Sequence, residues 1–157
     1  IRSLWTRPRT TFGGNHYQLT DAIAEPKPVQ EPYPPIWIGG RGRQRTLRIT
    51  AQYADVWNLP DGTPDELAEL SAVLDQHCAD VGRDPAEIRR TAQLRLPSDA
   101  AGSGLAGQPA ATDDVPRLVE SYAKVGVGEV ILIVMGGTAE AQAEQAAALL
   151  PQLRSIG

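Results

Sequence analysis

The stretch from Pro34 to Asn58, PPIWIGGRGRQRTLRITAQYADVWN, runs a short apolar segment into Gly39, Gly40, Arg41 and Gly42, and Arg41, Arg43, Arg45 and Arg48 fall within eight positions. A glycine pair at the carboxyl end of a strand, opening a helix, exposes backbone N–H groups at a positive helix end, which suits a phosphate. Arginines add bidentate donors, and Arg41, next to the glycines, is the one expected to meet the anion. The same residues also have a purely structural reading. Gly39 and Gly40 can serve a tight strand-to-helix turn, and Arg43, Arg45 and Arg48 a solvated helix face. Trp57 and Asn58 end a second apolar run that Leu59-Pro60-Asp61-Gly62 closes as a turn. At a strand end Trp57 fits either the core or a ring-stacking surface.

Other reactive side chains offer less. His16 sits in a Gly-rich hairpin and is expected to be exposed, while His77 shares a helix face with Leu74 and Cys78 and is expected to be partly buried. Cys78 is the single cysteine, which rules out an internal disulfide or a cysteine-based zinc site and argues for packing. No Ser-His-Asp order, paired metal ligands or P-loop can be assembled, so catalytic residues stay unassigned and no metal is expected.

A chain of 157 residues makes one domain the expectation. Fifteen Lys and Arg against 19 Asp and Glu give a formal net charge of -4, with no general polycation footprint for nucleic acid or an anionic membrane. There is no apolar run of transmembrane length, and a lone thiol fits a reducing, cytoplasmic home. A first residue Ile1 suggests a piece of something longer.

The elements that must position these residues alternate. Residues 1–34 form a loop-rich leading segment in which Phe12 and Tyr17 bracket a small hairpin. Ile36-Trp37-Ile38 reads as a buried parallel strand, Thr46 to Tyr53 as a helix, and Ala54 to Asn58 as a second strand. Thr63, Pro64 and Glu66 spell a helix start, and Leu67, Leu70, Val73, Leu74 and Cys78 keep a helical period until Gly82. Thr91 to Leu96 alternates into a third strand, and the Ala- and Gly-rich 98–111 reads as a flexible loop. Thr112-Asp113-Asp114 caps a helix ending at Gly126, Val130 to Met135 is the clearest buried strand, and a last helix runs from Thr138 to Leu150, where Pro151 is expected to stop it.

Alternating strands and helices demand crossover connections and a parallel sheet. Four strands are half of the eight that close a (β/α) barrel, so the fold class expected is α/β with parallel (β/α) units, TIM-barrel type, with 1–157 a single partial barrel domain.

The segments PKPVQ, PPIWIGG and ADVWN in this order and spacing, followed by GRDPAEI and LVESYAKVGVGEVILIV, resemble the C-terminal half of the bacterial luciferase-like monooxygenase family, and within it the branch dependent on coenzyme F420. The resemblance implies a TIM barrel that carries a flavin or deazaflavin across the carboxyl ends of its strands, performing hydride transfer or monooxygenation on a small molecule. It implies F420, with FMN as the alternative, contacted by Gly39, Gly40, Arg41 and Gly42 on one loop and by Trp57, Asn58 and the 60–62 turn on the next. Position 56 is Val where the family often has Gly. In that family much of the substrate pocket, the acid–base residues and the main dimer surface belong to the N-terminal half, which nothing here matches. The expectation is therefore self-association or a missing N-terminal half, and the alternative is a non-catalytic, self-assembling module that keeps a phosphate-binding loop.

Overall fold

A computed structural model describes residues 1–96, 112–134 and 137–156. The chain forms two compact units, Ile1–Pro35 and Ile36–Gly157.

In the first unit a short helix, α1 (Arg2–Thr6), precedes an antiparallel hairpin of β1 (Thr10–Gly13) and β2 (Gln18–Ala22). The hairpin is the one the Gly-rich stretch predicts; α1 is not foreseen. Trp5 stacks on Tyr33 with centroids 6.4 Å apart, and the Arg2 guanidinium lies 4.8 Å from the Tyr33 centroid. Lys27 ties the returning chain down by donating from Nζ to the carbonyls of Leu4 (3.0 Å) and Ala24 (2.7 Å).

The second unit is a four-stranded parallel sheet, in the order β3 (Trp37–Gly39), β4 (Val56–Pro60), β5 (Arg89–Leu96), β6 (Glu129–Val134). Helices α2 (Thr46–Tyr53), α3 (Pro64–Val81), α4 (Val115–Lys124) and α5 (Ala139–Leu153) complete it. The strands form where expected, but the two read as buried are not: Trp37 of β3 is 44% exposed and β6 is only half-buried along its length, because each pairs on one side only among the described residues. The signals at the ends of α3 have their counterparts. The Thr63 side chain accepts from the Glu66 N–H at 3.0 Å, and Gly82, at φ +70°, ends α3 in the left-handed conformation that glycine adopts without penalty. The third strand starts at Arg89, two residues earlier than the alternation suggests, because Val56 and Trp57 of β4 offer Arg89 and Arg90 a ladder to pair with.

Pro151 lies inside α5 instead of stopping it, and the helix runs on to Leu153. A proline near the carboxyl end forfeits only one backbone bond, and Leu149 and Leu153 on either side of it are held by the core under Leu96, Val115 and Val134. Residues 98–111, Met135 and Gly136 lie outside the described residues.

The register assigns the two faces of the sheet. Leu59, Ala92 and Val130 form one row, Leu94 and Leu132 the next, Leu96 and Val134 the last, and all pack under the helices. Leu47 and Ala51 of α2, Leu67, Leu70 and Leu74 of α3, and Tyr122 of α4 close over them. Burying each such leucine is worth about 1.5–3 kcal/mol, which is what holds the three crossovers on one side. Cys78 is part of this core, and burial pushes its thiol up, away from reactive thiolate.

Candidate functional site

The opposite face of the sheet is different in kind. Its rows run Trp37, Val56, Arg89; then Gly39, Asn58, Thr91, Glu129; then Pro60, Gln93, Ile131; then Arg95 beside Ile133. Six of these are polar or charged. Arg89 lies over the Trp37 ring at 5.7 Å and pairs with Glu129 at 3.6 Å, so the lower rows are cross-braced.

At the carboxyl ends the chain turns through Gly40. Its N–H donates to the Asn58 carbonyl (3.1 Å), its carbonyl accepts from Trp57 Nε1 (2.9 Å), and its φ of +131° belongs to glycine. A Cβ on Gly42 would stand 2.6 Å from Thr46 Oγ1, so that glycine serves the first turn of α2. Gly39 differs from both. Its backbone is ordinary for an L-residue, and a Cβ there would meet nothing nearer than the Asn58 carbonyl at 3.9 Å. No acceptor among the described residues takes the backbone N–H groups of Arg41 to Arg45, which lead into α2.

The arginines are sorted by α3. Arg41 donates to both Glu66 oxygens (3.0 and 3.3 Å) and to the Pro60 carbonyl (2.6 Å), and Arg43 pairs with Glu69 at 2.9 Å. His77, partly buried as expected, contacts the Arg43 carbonyl through Nε2 at 2.8 Å. One stripe of α3 thus clamps the loop after β3. Arg41 acts as a strut between two loops rather than a free cation. Arg45 and Arg48, by contrast, carry no ion pair among the described residues.

Trp57 is 0% exposed and sits in the helix-side core. It presents no ring for stacking; its contribution is the bond that fixes Gly40. Asn58, one residue on, faces the other side, where Thr91 Oγ1 donates to its Oδ1 at 3.0 Å.

Thr91 and Arg95, which composition and motif did not single out, complete the site. Arg95 grips Asp61 through Nε (2.8 Å) and Nη2 (2.9 Å), joining the ends of β4 and β5, with Asp61 itself at φ +51°. Their signal was the polar alternation Thr91, Gln93, Arg95 in a strand otherwise apolar. On the helix side the buried Tyr122 hydroxyl donates to the Gly62 carbonyl, and burial pushes its pKa up to about 12. A Cβ on Gly62 would fall 2.4 Å from Leu59 Cδ2, so this turn is fixed from both sides.

The hydrogen bond from Arg95 holds the Asp61 carboxyl below the usual carboxylate range. A carboxylate depressed on folding stabilises fully above its unfolded value, about 3.9, and loses that contribution as pH falls through the lower native value. The melting-temperature gap between the parent chain and Asp61→Asn should therefore be constant near neutral pH and shrink below about pH 4. A gap that persists undiminished to pH 2 contradicts the assignment.

The luciferase-like monooxygenase profile matches residues 1–101. The chain belongs to that family. A curated relative, the FMNH2-dependent dimethylsulfone monooxygenase of Pseudomonas putida, is 26% identical over 95 residues, which is 57% of this chain and 26% of the relative. Among solved structures, an F420-dependent secondary alcohol dehydrogenase bound to an F420–acetone adduct superposes with a TM-score of 0.78 at 15% identity, over 98% of this chain and 58% of that one. Monooxygenase RslO1 from Streptomyces bottropensis gives 0.74 at 13% identity, over 98% and 57%. This luciferase-like chain thus spans just over half the length of these two solved structures and about a quarter of the curated relative, and its four-stranded sheet is part of a (β/α) barrel.

Proposed function

We propose that this luciferase-like chain holds a flavin or deazaflavin, F420 first and FMN as the alternative, for hydride transfer or monooxygenation of a small molecule. The ring lies against the face carrying Gly39 and Asn58. The phosphate-bearing tail takes the backbone N–H groups of Arg41 to Arg45, with Arg45 and Arg48, which carry no ion pair among the described residues, as the cations available to it.

Gly39 carries this reading. Among the described residues nothing in the packing asks for glycine there: an added Cβ would meet only the Asn58 carbonyl, at 3.9 Å, and a flat ring would lie where that Cβ would stand. The amides supply the anion site in the ordinary way of a helix start, and the clamp from Glu66 and Glu69 keeps them in place. Family membership and an FMNH2-dependent relative support the same class of cofactor.

Edge strands β3 and β6 each pair on one side only among the described residues. Further strands, from a second copy or from the rest of a longer chain, belong to the same reading.

Titration of the chain with FMN, F420 and riboflavin, followed by fluorescence, tests the proposal. Saturable binding of FMN or F420 is expected, with riboflavin, which lacks the phosphate, about tenfold or more weaker. No saturable binding of either cofactor would sink the reading.

A further inference from the structure

The polar face holds one amide whose orientation is decided by a neighbour. Thr91 is wholly buried, and its Oγ1 has two acceptors in reach, Asn58 Oδ1 at 3.0 Å and the Trp57 carbonyl at 3.3 Å. A hydroxyl has one proton, and the nearer acceptor takes it. In this arrangement the Asn58 amide oxygen faces Thr91 and its NH2 faces away; in the turned-over amide the NH2 would donate to Thr91 Oγ1 and the hydroxyl to the Trp57 carbonyl. No acceptor among the described residues takes that NH2, and it is not a buried orphan either. Asn58 pairs in register with Gly39, whose missing side chain leaves room beside it.

We infer that Thr91 is a positioning residue that presents Asn58 as a hydrogen-bond donor to a carbonyl oxygen on the cofactor's ring edge. The inference rests on the cofactor reading above. Flavins and deazaflavins both carry a dione edge, and a donor fixed in advance meets it without the cost of ordering a free amide. If the amide were turned over, its oxygen would confront that carbonyl.

Three variants separate the roles. Asn58→Asp keeps shape and keeps an acceptor for Thr91, yet offers a second oxygen where a donor is required; FMN or F420 binding should weaken about tenfold or more. Thr91→Val removes the proton that orders the amide and should weaken binding about fivefold, while Thr91→Ser, which retains the hydroxyl, stays within about twofold. The absorption band of bound flavin should shift in Asn58→Asp and Thr91→Val and not in Thr91→Ser, a signature that a merely structural role would not move.

A cofactor-free measurement stands beside these. In the nitrogen-15-labelled chain, the Asn58 NH2 protons should show no close approach to the Thr91 side chain. A strong cross-peak between them overturns the orientation whatever the cofactors do. Equal affinities across the variants overturn this inference alone, whereas absence of binding by the parent chain overturns the cofactor reading on which it rests.

Discussion

Gly39→Val is expected to fold as well as the parent chain and to bind FMN or F420 about ten- to a hundredfold more weakly. The first half follows from geometry. Residue 39 has no left-handed φ, and the nearest atom to an added Cβ is 3.9 Å away. Valine also suits a strand and gives up less backbone freedom on folding than glycine, so stability should hold or rise slightly. The second half follows from the space a side chain would take. If a ring lies there as proposed, a side chain in its place forces displacement at a cost of about 1–3 kcal/mol. Gly40→Ala and Gly42→Ala are the contrast, since one requires φ +131° and the other crowds Thr46 Oγ1, and both should lower the melting temperature. Thermal melts paired with cofactor titration read both halves. A Gly39→Val chain that binds as the parent does would leave that glycine without a ligand.

Trp57→Ala should cost about 3–5 kcal/mol in urea unfolding, the largest loss expected from any single side chain here. The indole is wholly buried against Leu47, Leu59 and the helix-side core. Trp57→Phe divides that loss. It keeps most of the packing but orphans the Gly40 carbonyl, for about 1–3 kcal/mol, and it releases the turn on which the amides from Arg41 onward depend. If Trp57→Ala costs under about 1 kcal/mol, the indole is not packed as described.

Local chemistry was readable wherever it was self-contained. Thr63, Pro64 and Glu66 announced α3, and Gly82 ended it, because a cap is settled within a few residues. The parallel sheet was readable for a similar reason: short apolar runs separated by helical periods admit few other arrangements. Arg41 was legible only as a cation. Its partner Glu66 lies 25 positions away, and spacing does not reveal that the two meet. Trp57 fitted two roles equally, and the choice came from which side of β4 the register turned inward. Thr91 and Arg95 were visible as members of an alternating strand but not as parts of a site, because alternation does not say what the polar face meets. In a partial barrel one face belongs to the site, and polarity alternating along β5 is how that face is written.

The ladder of registers also bears on how the chain assembles. Val56 pairs with Trp37 after a loop of 19 positions, whereas Glu129 pairs with Thr91 after 38. Closing the longer loop costs about 0.6 kcal/mol more chain entropy, a difference that favours early docking of β3 onto β4 across α2. That pair contains Gly39, Trp57 and Asn58 and leads directly into Gly40, so the geometry of the proposed site lies in the part of the parallel sheet with the least distance to search.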